Sequence, residues 1–349
     1  MLGLPWWEGK WVVVEREPVE SEREPAEREP VTRLRALRSV TLITPALAEA
    51  VDFYVEVWGL QPVASEASTA WLRGTGPEHH VLVLRHGDVP GLGEMSFAVA
   101  ERREVDDAAR ALGAMGIPLL DEPAVSKGPG GGYGVRFADP EGRVVEIVAE
   151  TAAVAPLDGD RSVPIGVTHV VFNTADVDSA VGFYTSVLGL RLSDWSEHQM
   201  AFLRCNSYHH CVAFNQAPWA SVNHVAYELA SIDQFMRAIG RLRHHGIVSQ
   251  WGPGRHGPGN NTFSYFTDPS QTVCELTADV QQIHEASWLP RVWPRTPELS
   301  DLWGTAGPPP DRIRQCMRGA EDPGAFAGHP ELRAEMAGWL RRSRTENGR

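Results

Sequence analysis

Leu47-Ala-Glu-Ala-Val51-Asp-Phe-Tyr54-Val-Glu-Val-Trp58-Gly59-Leu60 returns 130 residues later as Val177-Asp-Ser-Ala-Val181-Gly-Phe-Tyr184-Thr-Ser-Val-Leu188-Gly189-Leu190. In each copy the apolar residues Leu47, Val51, Tyr54 and Trp58, or Val177, Val181, Tyr184 and Leu188, share one helical face. Gly59 and Gly189 follow at a place that suits a left-handed helix end. A strand-like run precedes each copy, Ser39-Val-Thr-Leu-Ile-Thr44 in one and His169-Val-Val-Phe-Asn-Thr174 in the other. A strand, a helix and a closing glycine therefore occur twice, and an internal repeat of this kind decides the architecture.

The repeat continues outward. Trp71 to Leu84 answers Phe202 to Phe214 and reads as a hairpin in each half, with His79-His80 in the first and His209-His210 in the second. Glu94-Met-Ser-Phe-Ala-Val-Ala answers His224-Val-Ala-Tyr-Glu-Leu-Ala, and each is followed by an amphipathic helix, roughly Glu104 to Met115 and Ile232 to His244. Gly134 to Glu146 then answers Phe263 to Glu275, where Asp139-Pro140 and Asp268-Pro269 mark the turn between two strands. Each half of about 115 residues contains two βαβ-type blocks, which predicts an α+β fold.

Composition narrows the function classes. With 349 residues, 42% hydrophobic and 22% charged, the chain can bury a substantial core. A formal charge of -13 argues against nucleic acid or an anionic membrane surface as partner. Cys205, Cys211, Cys274 and Cys316 form neither a CxxC pair nor a dense disulfide pattern, which favours a reducing cytoplasm. No signal peptide is expected from the first residues, and no run approaches membrane-spanning length.

Chemistry concentrates in the second half. His169, His224 and Glu275 stand on predicted strands, and two imidazoles with one carboxylate make the facial triad that holds Fe(II) or Mn(II) and leaves positions open for substrate and O2. The matching positions of the first half carry Ser39, Glu94 and Glu146. Serine is a poor ligand for such an ion, so the first half is expected to be metal-free and to act in packing or as an oligomer surface. If His209 and His210 lie on one strand, alternation sends the two rings to opposite faces and only one faces the site.

These residues carry a resemblance to a known family. Over about 34 to 280 the chain resembles the type I extradiol ring-cleaving dioxygenases of the vicinal oxygen chelate superfamily, most specifically in Gly252-Pro-Gly-Arg-His256-Gly-Pro-Gly-Asn-Asn-Thr-Phe-Ser-Tyr265-Phe-Thr-Asp-Pro through Glu275. The resemblance implies tandem βαβββ modules in two homologous halves, with one divalent metal in the C-terminal half on His169, His224 and Glu275. It implies His210 as the acid/base residue, leaving His209 tolerant of change, and His256 and Tyr265 as hydrogen-bond partners of a catecholic substrate. It also implies Fe(II), with Mn(II) the alternative, no organic cofactor, and O2 as co-substrate.

The corresponding domain limits are a charged, disordered N-terminal arm at 1–32, a metal-free domain at 33–152, a catalytic domain at 163–280, and a tail at 281–349 laid over the catalytic half. The arm repeats Glu-Arg-Glu-Pro at 15–18, 22–25 and 27–30. A homo-oligomer is expected. Trp251 stands where homoprotocatechuate enzymes carry an arginine for the substrate carboxylate, so an apolar or bulkier catechol is expected, with Phe202, Trp251 and Phe263 as candidate walls. Two other readings share the fold: a glyoxalase-type isomerase or lyase, which would draw ligands from both halves, and a metal-free ligand-binding protein of the bleomycin-resistance type.

Overall fold

The computed structural model describes residues 31–157, 162–284 and 288–347, so the Glu-Arg-Glu-Pro arm lies outside the described residues. The first half runs β1 (Ala36–Thr44), α1 (Leu47–Asp52) with a π-helical turn (Phe53–Val57), β2 (Gln61–Glu66), β3 (Thr69–Arg73) and β4 (Leu82–His86), then β5 (Gly91–Ala98), α2 (Arg102–Ala114), β6 (Ala124–Val125), β7 (Tyr133–Ala138) and β8 (Val144–Ala149). The second half repeats the order with β9 (Val167–Thr174), α3 (Val177–Ser186), β10 (Arg191–Ser196), β11 (Met200–Arg204) and β12 (Val212–Gln216), then β13 (Ser221–Glu228), α4 (Ile232–His244), β14 (Trp251–Arg255), β15 (Thr262–Thr267) and β16 (Val273–Ala278). Each half is thus a pair of βαβββ modules joined through their first strands, β1 to β5 and β9 to β13.

The helices start where local chemistry permits. Asp176 accepts from the Ser179 backbone N–H at the start of α3, and Ser231 accepts from Gln234 at the start of α4. Gly59 and Gly189 adopt φ of 92° and 67°, the left-handed closing conformation the sequence calls for. The first copy departs from the second in one respect: the Trp58 N–H reaches Phe53 O, five residues back, at 2.9 Å. This π turn carries Trp58, fully buried against Phe53, Tyr227 and Phe266, where the second copy has the smaller Leu188.

The two halves share one continuous apolar core, and their contact is reciprocal. Tyr54 of the first half donates to Asp268 of the second at 3.4 Å, and Tyr184 of the second donates to Asp139 of the first at 3.1 Å. Asp139 also pairs with Arg143, whose guanidinium lies over Phe172 and Phe214.

The tail adds β17 (Arg291–Trp293), α5 (Pro297–Ser300), α6 (Asp311–Arg318), a 3₁₀ turn (Gly324–Ala327) and α7 (Pro330–Asn347). β17 extends the second sheet by pairing parallel with β10. Asp322 reaches across to the first half by accepting from the Leu92 backbone N–H, so the segment bridges both halves as well as crossing the second.

Candidate metal centre

Strand register assembles the centre. One row of paired residues crosses five strands of the second sheet: His169 on β9 faces Ala226 on β13, which faces Glu275 on β16, then Tyr265 on β15, then Trp251 on β14. Residues in one row project to one face. His224, two residues before Ala226, projects to that face as well, and the small Ala226 leaves space between the imidazoles and the carboxylate.

The three expected ligands converge. Glu275 Oε2 is 3.1 Å from His224 Nε2 and 3.3 Å from His169 Nε2, and all three residues are buried. Three donors about 2.1 Å from one ion at right angles stand roughly 3 Å apart, so the spacing suits a first-row divalent cation. Among the described residues this is the one such group of His, Cys, Asp or Glu ligand atoms. Glu275 Oε2 and His169 Nδ1 are buried and make no hydrogen bond, and a cation between the three would satisfy the oxygen. The residues present fit the metal.

Neighbouring groups hold the ligands in place. His224 Nδ1 lies 2.8 Å from Asn223 Oδ1, which leaves Nε2 as the free lone pair, and Asn223 donates in turn to Asn173 Oδ1 at 3.0 Å. Asn261 donates to Glu275 Oε1 at 3.3 Å. Burial alone would raise the Glu275 carboxyl, but the imidazoles of His169 and His224 outweigh it and hold it well below the usual carboxylate range. Burial lowers His224, against the opposing pull of Glu275, and so favours the neutral ring a metal ligand requires.

An open side faces a cavity of about 460 Å³ bordered by His210, His256, Tyr265, Phe202 and Trp251. The His210 ring centroid is 4.2 Å from that of His169, and burial, reinforced by His169 and His209, holds it well below the usual imidazole range. His256 Nδ1 donates to Ser300 O at 3.0 Å, so its Nε2 accepts from the Tyr265 hydroxyl at 3.0 Å. Burial pushes the Tyr265 hydroxyl well above its ordinary value, with the Glu275 charge adding to the effect.

Four expectations from the sequence need revision. His209 and His210 do not lie on a strand but in the connection between β11 and β12, which reaches the centre because β9 and β12 pair in parallel. His209 is not idle: it is fully buried, 3.0 Å from Asp194 Oδ2 and 3.0 Å from His210 Nδ1. Phe263 is not a cavity wall but a plate beneath His256, stacked at 4.0 Å, whereas Phe202 and Trp251 do border the cavity. The tail contributes more than cover, because Ser300 holds His256, Gly307 O accepts from Trp251 Nε1, and Arg295, Arg314 and Arg318 form part of the outer wall. The sequence reading missed Asp194, Asn223 and Asn261, of which only Asn223 and Asn261 were signalled, by their places inside the His224 and Gly252–Glu275 motifs.

The first half shows what the same row becomes without the ligands. Ser39 faces Ser96, Ser96 faces Glu146, and Arg136 stands opposite Glu146 where Tyr265 stands opposite Glu275.

Comparison with known proteins agrees with this geometry. The family model described as Glyoxalase/Bleomycin resistance protein/Dioxygenase superfamily matches twice, over residues 36–147 and 166–276. Metapyrocatechase 2 of Cupriavidus necator is 30% identical over 194 residues, 49% of this chain, and the match spans only 59% of that protein's length. The manganese-dependent 2,3-dihydroxybiphenyl 1,2-dioxygenase of Geobacillus genomosp. 3 is 26% identical over 73% of this chain and 88% of its own. Among solved structures, the Mn(II)-bound glyoxalase from Novosphingobium aromaticivorans superposes with a TM-score of 0.77 at 37% identity, covering 80% of this chain and 94% of that one. With two copies of the superfamily module, reciprocal halves and a centre of two histidines and one glutamate confined to the second, the chain belongs to the Glyoxalase/Bleomycin resistance protein/Dioxygenase superfamily.

Proposed function

We propose that this protein is an extradiol dioxygenase that opens a catecholic ring next to the diol, with Fe(II) or Mn(II) held by His169, His224 and Glu275. The observation that carries the reading is the convergence of those three ligand atoms on a cavity that His210 borders on one side and the Tyr265–His256 pair on another. A bound divalent ion supplies a cationic partner for the diol oxygens and an adjacent place for O2. The remaining work falls to the chain. The neutral His210 ring accepts a proton from one diol hydroxyl and returns it to an oxygen after the ring opens. The Tyr265 oxygen, its own proton committed to His256 Nε2, accepts from a diol hydroxyl; His256 orients that phenol, and Trp251, stacked on Tyr265 at 5.0 Å, keeps it in place. The tail lines one side of the cavity through Leu299, Pro309 and Met317 among others.

The cavity's inner wall includes Phe202, Met200, Val171 and Trp251, which supports an apolar or bulkier catechol as substrate. The partners are then the catechol and O2. We also propose a cytoplasmic setting, which the four free cysteines support, and a homo-oligomeric assembly.

A glyoxalase-type isomerisation is the second reading, favoured by the 37% identity to a protein titled a glyoxalase. Against it, all three ligands come from one half. The two separate in one experiment on anaerobically metal-loaded protein: oxygen uptake with catechol, 3-methylcatechol and 2,3-dihydroxybiphenyl, beside hemithioacetal isomerisation. Oxygen uptake with a yellow product supports the proposal, and isomerisation without oxygen uptake overturns it.

A further inference from the structure

Below His210 lies a second buried layer that the reaction described above does not use. Asp194 on β10 and His209 are both fully buried, and Asp194 Oδ2 is 3.0 Å from His209 Nε2. The tail supplies two further partners: the Arg291 backbone N–H donates to Oδ1 and the Trp293 indole N–H donates to Oδ2, each at 2.8 Å. Both of those groups can only donate, so both oxygens serve as acceptors and the proton of the His209 contact belongs to His209 Nε2. A neutral imidazole has one N–H, and burial keeps His209 neutral against the pull of Asp194. Its Nδ1 is therefore an acceptor. The 3.0 Å contact between the two Nδ1 atoms then requires His210 Nδ1 to be the donor.

From this chain of donors we infer that Asp194 and His209 are positioning residues that fix the tautomer of His210, placing its one proton on Nδ1 and leaving Nε2 as the proton acceptor beside the cavity. The inference rests on the role proposed for His210. When Nε2 takes a proton from the diol, the imidazolium stays hydrogen-bonded through Nδ1–H to His209. The His209 Nε2–H remains with Asp194, and no proton passes to the carboxylate. Gly259, with φ of 77°, gives the pair room, since a Cβ there would meet His209 Nδ1 at 3.2 Å and His210 Cε1 at 3.2 Å.

The first half provides an internal control. His79 and His80 repeat the contact between Nδ1 atoms at 3.1 Å. Strand register puts Ala64 where the second half has Asp194, and Arg38 donates to His80 Nε2 at 3.2 Å, occupying the nitrogen that is left open in His210. The histidine pair occurs in both halves, but the carboxylate lies beneath it only in the half that holds the metal ligands.

The test reads proton positions directly. Full-length protein labelled with ¹⁵N-histidine and loaded with diamagnetic Zn(II) is examined by long-range ¹H–¹⁵N spectra. The proton is expected on Nδ1 of His210 and on Nε2 of His209. In the double variant Asp194→Asn/Trp293→Phe the amide turns its NH₂ to His209 Nε2, and both tautomers should reverse. With Trp293→Phe alone they should stay. In the Fe(II) or Mn(II) enzyme the double variant should keep metal content and KM within about threefold while kcat falls roughly 10² to 10⁴-fold, the scale of a misplaced tautomer or a lost acid/base group. His79→Asn should leave kcat unchanged. A wild-type spectrum with His210 protonated on Nε2 overturns the inference whether or not any variant folds, and so does an unchanged tautomer in the double variant. If no catechol is consumed, the dioxygenase reading falls while the spectra still decide this one.

Discussion

Glu94 occupies the position in the first half that His224 holds in the second, and replacing it with glutamine isolates the cost of keeping an acidic group where a ligand would sit. Burial, and after it the charge of Glu146, pushes the Glu94 carboxyl up to about 7, against opposing pulls from Arg136, Arg85 and Arg38. In the unfolded chain the same group titrates near its ordinary ~4.3. Between those values the folded protein keeps a proton that the unfolded chain has lost, so stability falls as pH rises through this window and the loss is complete above about 7. A gap of roughly 2.7 pH units at 1.36 kcal/mol each sets a ceiling of about 4 kcal/mol. The side chain is 21% exposed, so solvent screens the charge and lowers the expected cost to ~1–2 kcal/mol. Glu94→Gln should therefore match wild type at pH 4.5, exceed it by that margin at pH 8, and leave metal content unchanged. Thermal melts at the two pH values with parallel metal analysis make the assay. A variant less stable at pH 8, or a difference that does not depend on pH, would refute the reasoning.

Three other outcomes follow from the site and the core. Glu275→Ala should abolish stoichiometric iron or manganese binding, read by metal analysis after anaerobic loading, because it removes the one carboxylate among three converging ligands. His210→Asn should retain the metal and slow ring opening by roughly 10² to 10⁴, measured by stopped flow, since a general acid/base is lost and no ligand is. Arg143→Met should destabilise the protein by about 3–5 kcal/mol in urea melts, because it leaves Asp139, 1% exposed, as a buried charge without its partner.

Most of the scaffold was legible because the repeat is local. The 3.6-residue period of Leu47 to Trp58 and of Val177 to Leu188, the glycines that end them, and the Asp-Pro turns are all written within a dozen residues. The α4 limits agree with the sequence to the residue, since Ser231 caps its start and Gly246 follows its end. His169, His224 and Glu275 were legible for a related reason: strand periodicity fixes which face each occupies, and the first half shows the same positions without them. What was hidden depends on contacts between distant segments. His209 looked idle because its partner Asp194 lies fifteen residues away on β10 and is held there by Arg291 and Trp293, a further hundred residues on. Phe263 looked like a wall because a strand aromatic beside a site residue reads the same whether it faces the cavity or stacks under His256. The π turn at Phe53–Val57 has no sequence signal beyond the bulk of Trp58.

If the His169–His224–Glu275 centre directs O2 into a catechol ring beside the diol, as proposed, the product formed under ¹⁸O₂ carries the signature. Protein loaded anaerobically with Fe(II) or Mn(II) is given 2,3-dihydroxybiphenyl or 3-methylcatechol and labelled oxygen, and the product is examined by mass and absorbance. A yellow ring-opened semialdehyde or ketone is expected, with both oxygen atoms of one O2 incorporated, and no such product from Glu275→Ala. A colourless cis,cis-muconate, cleaved between the two hydroxyl-bearing carbons, would contradict the proposal even if the three residues proved to bind iron.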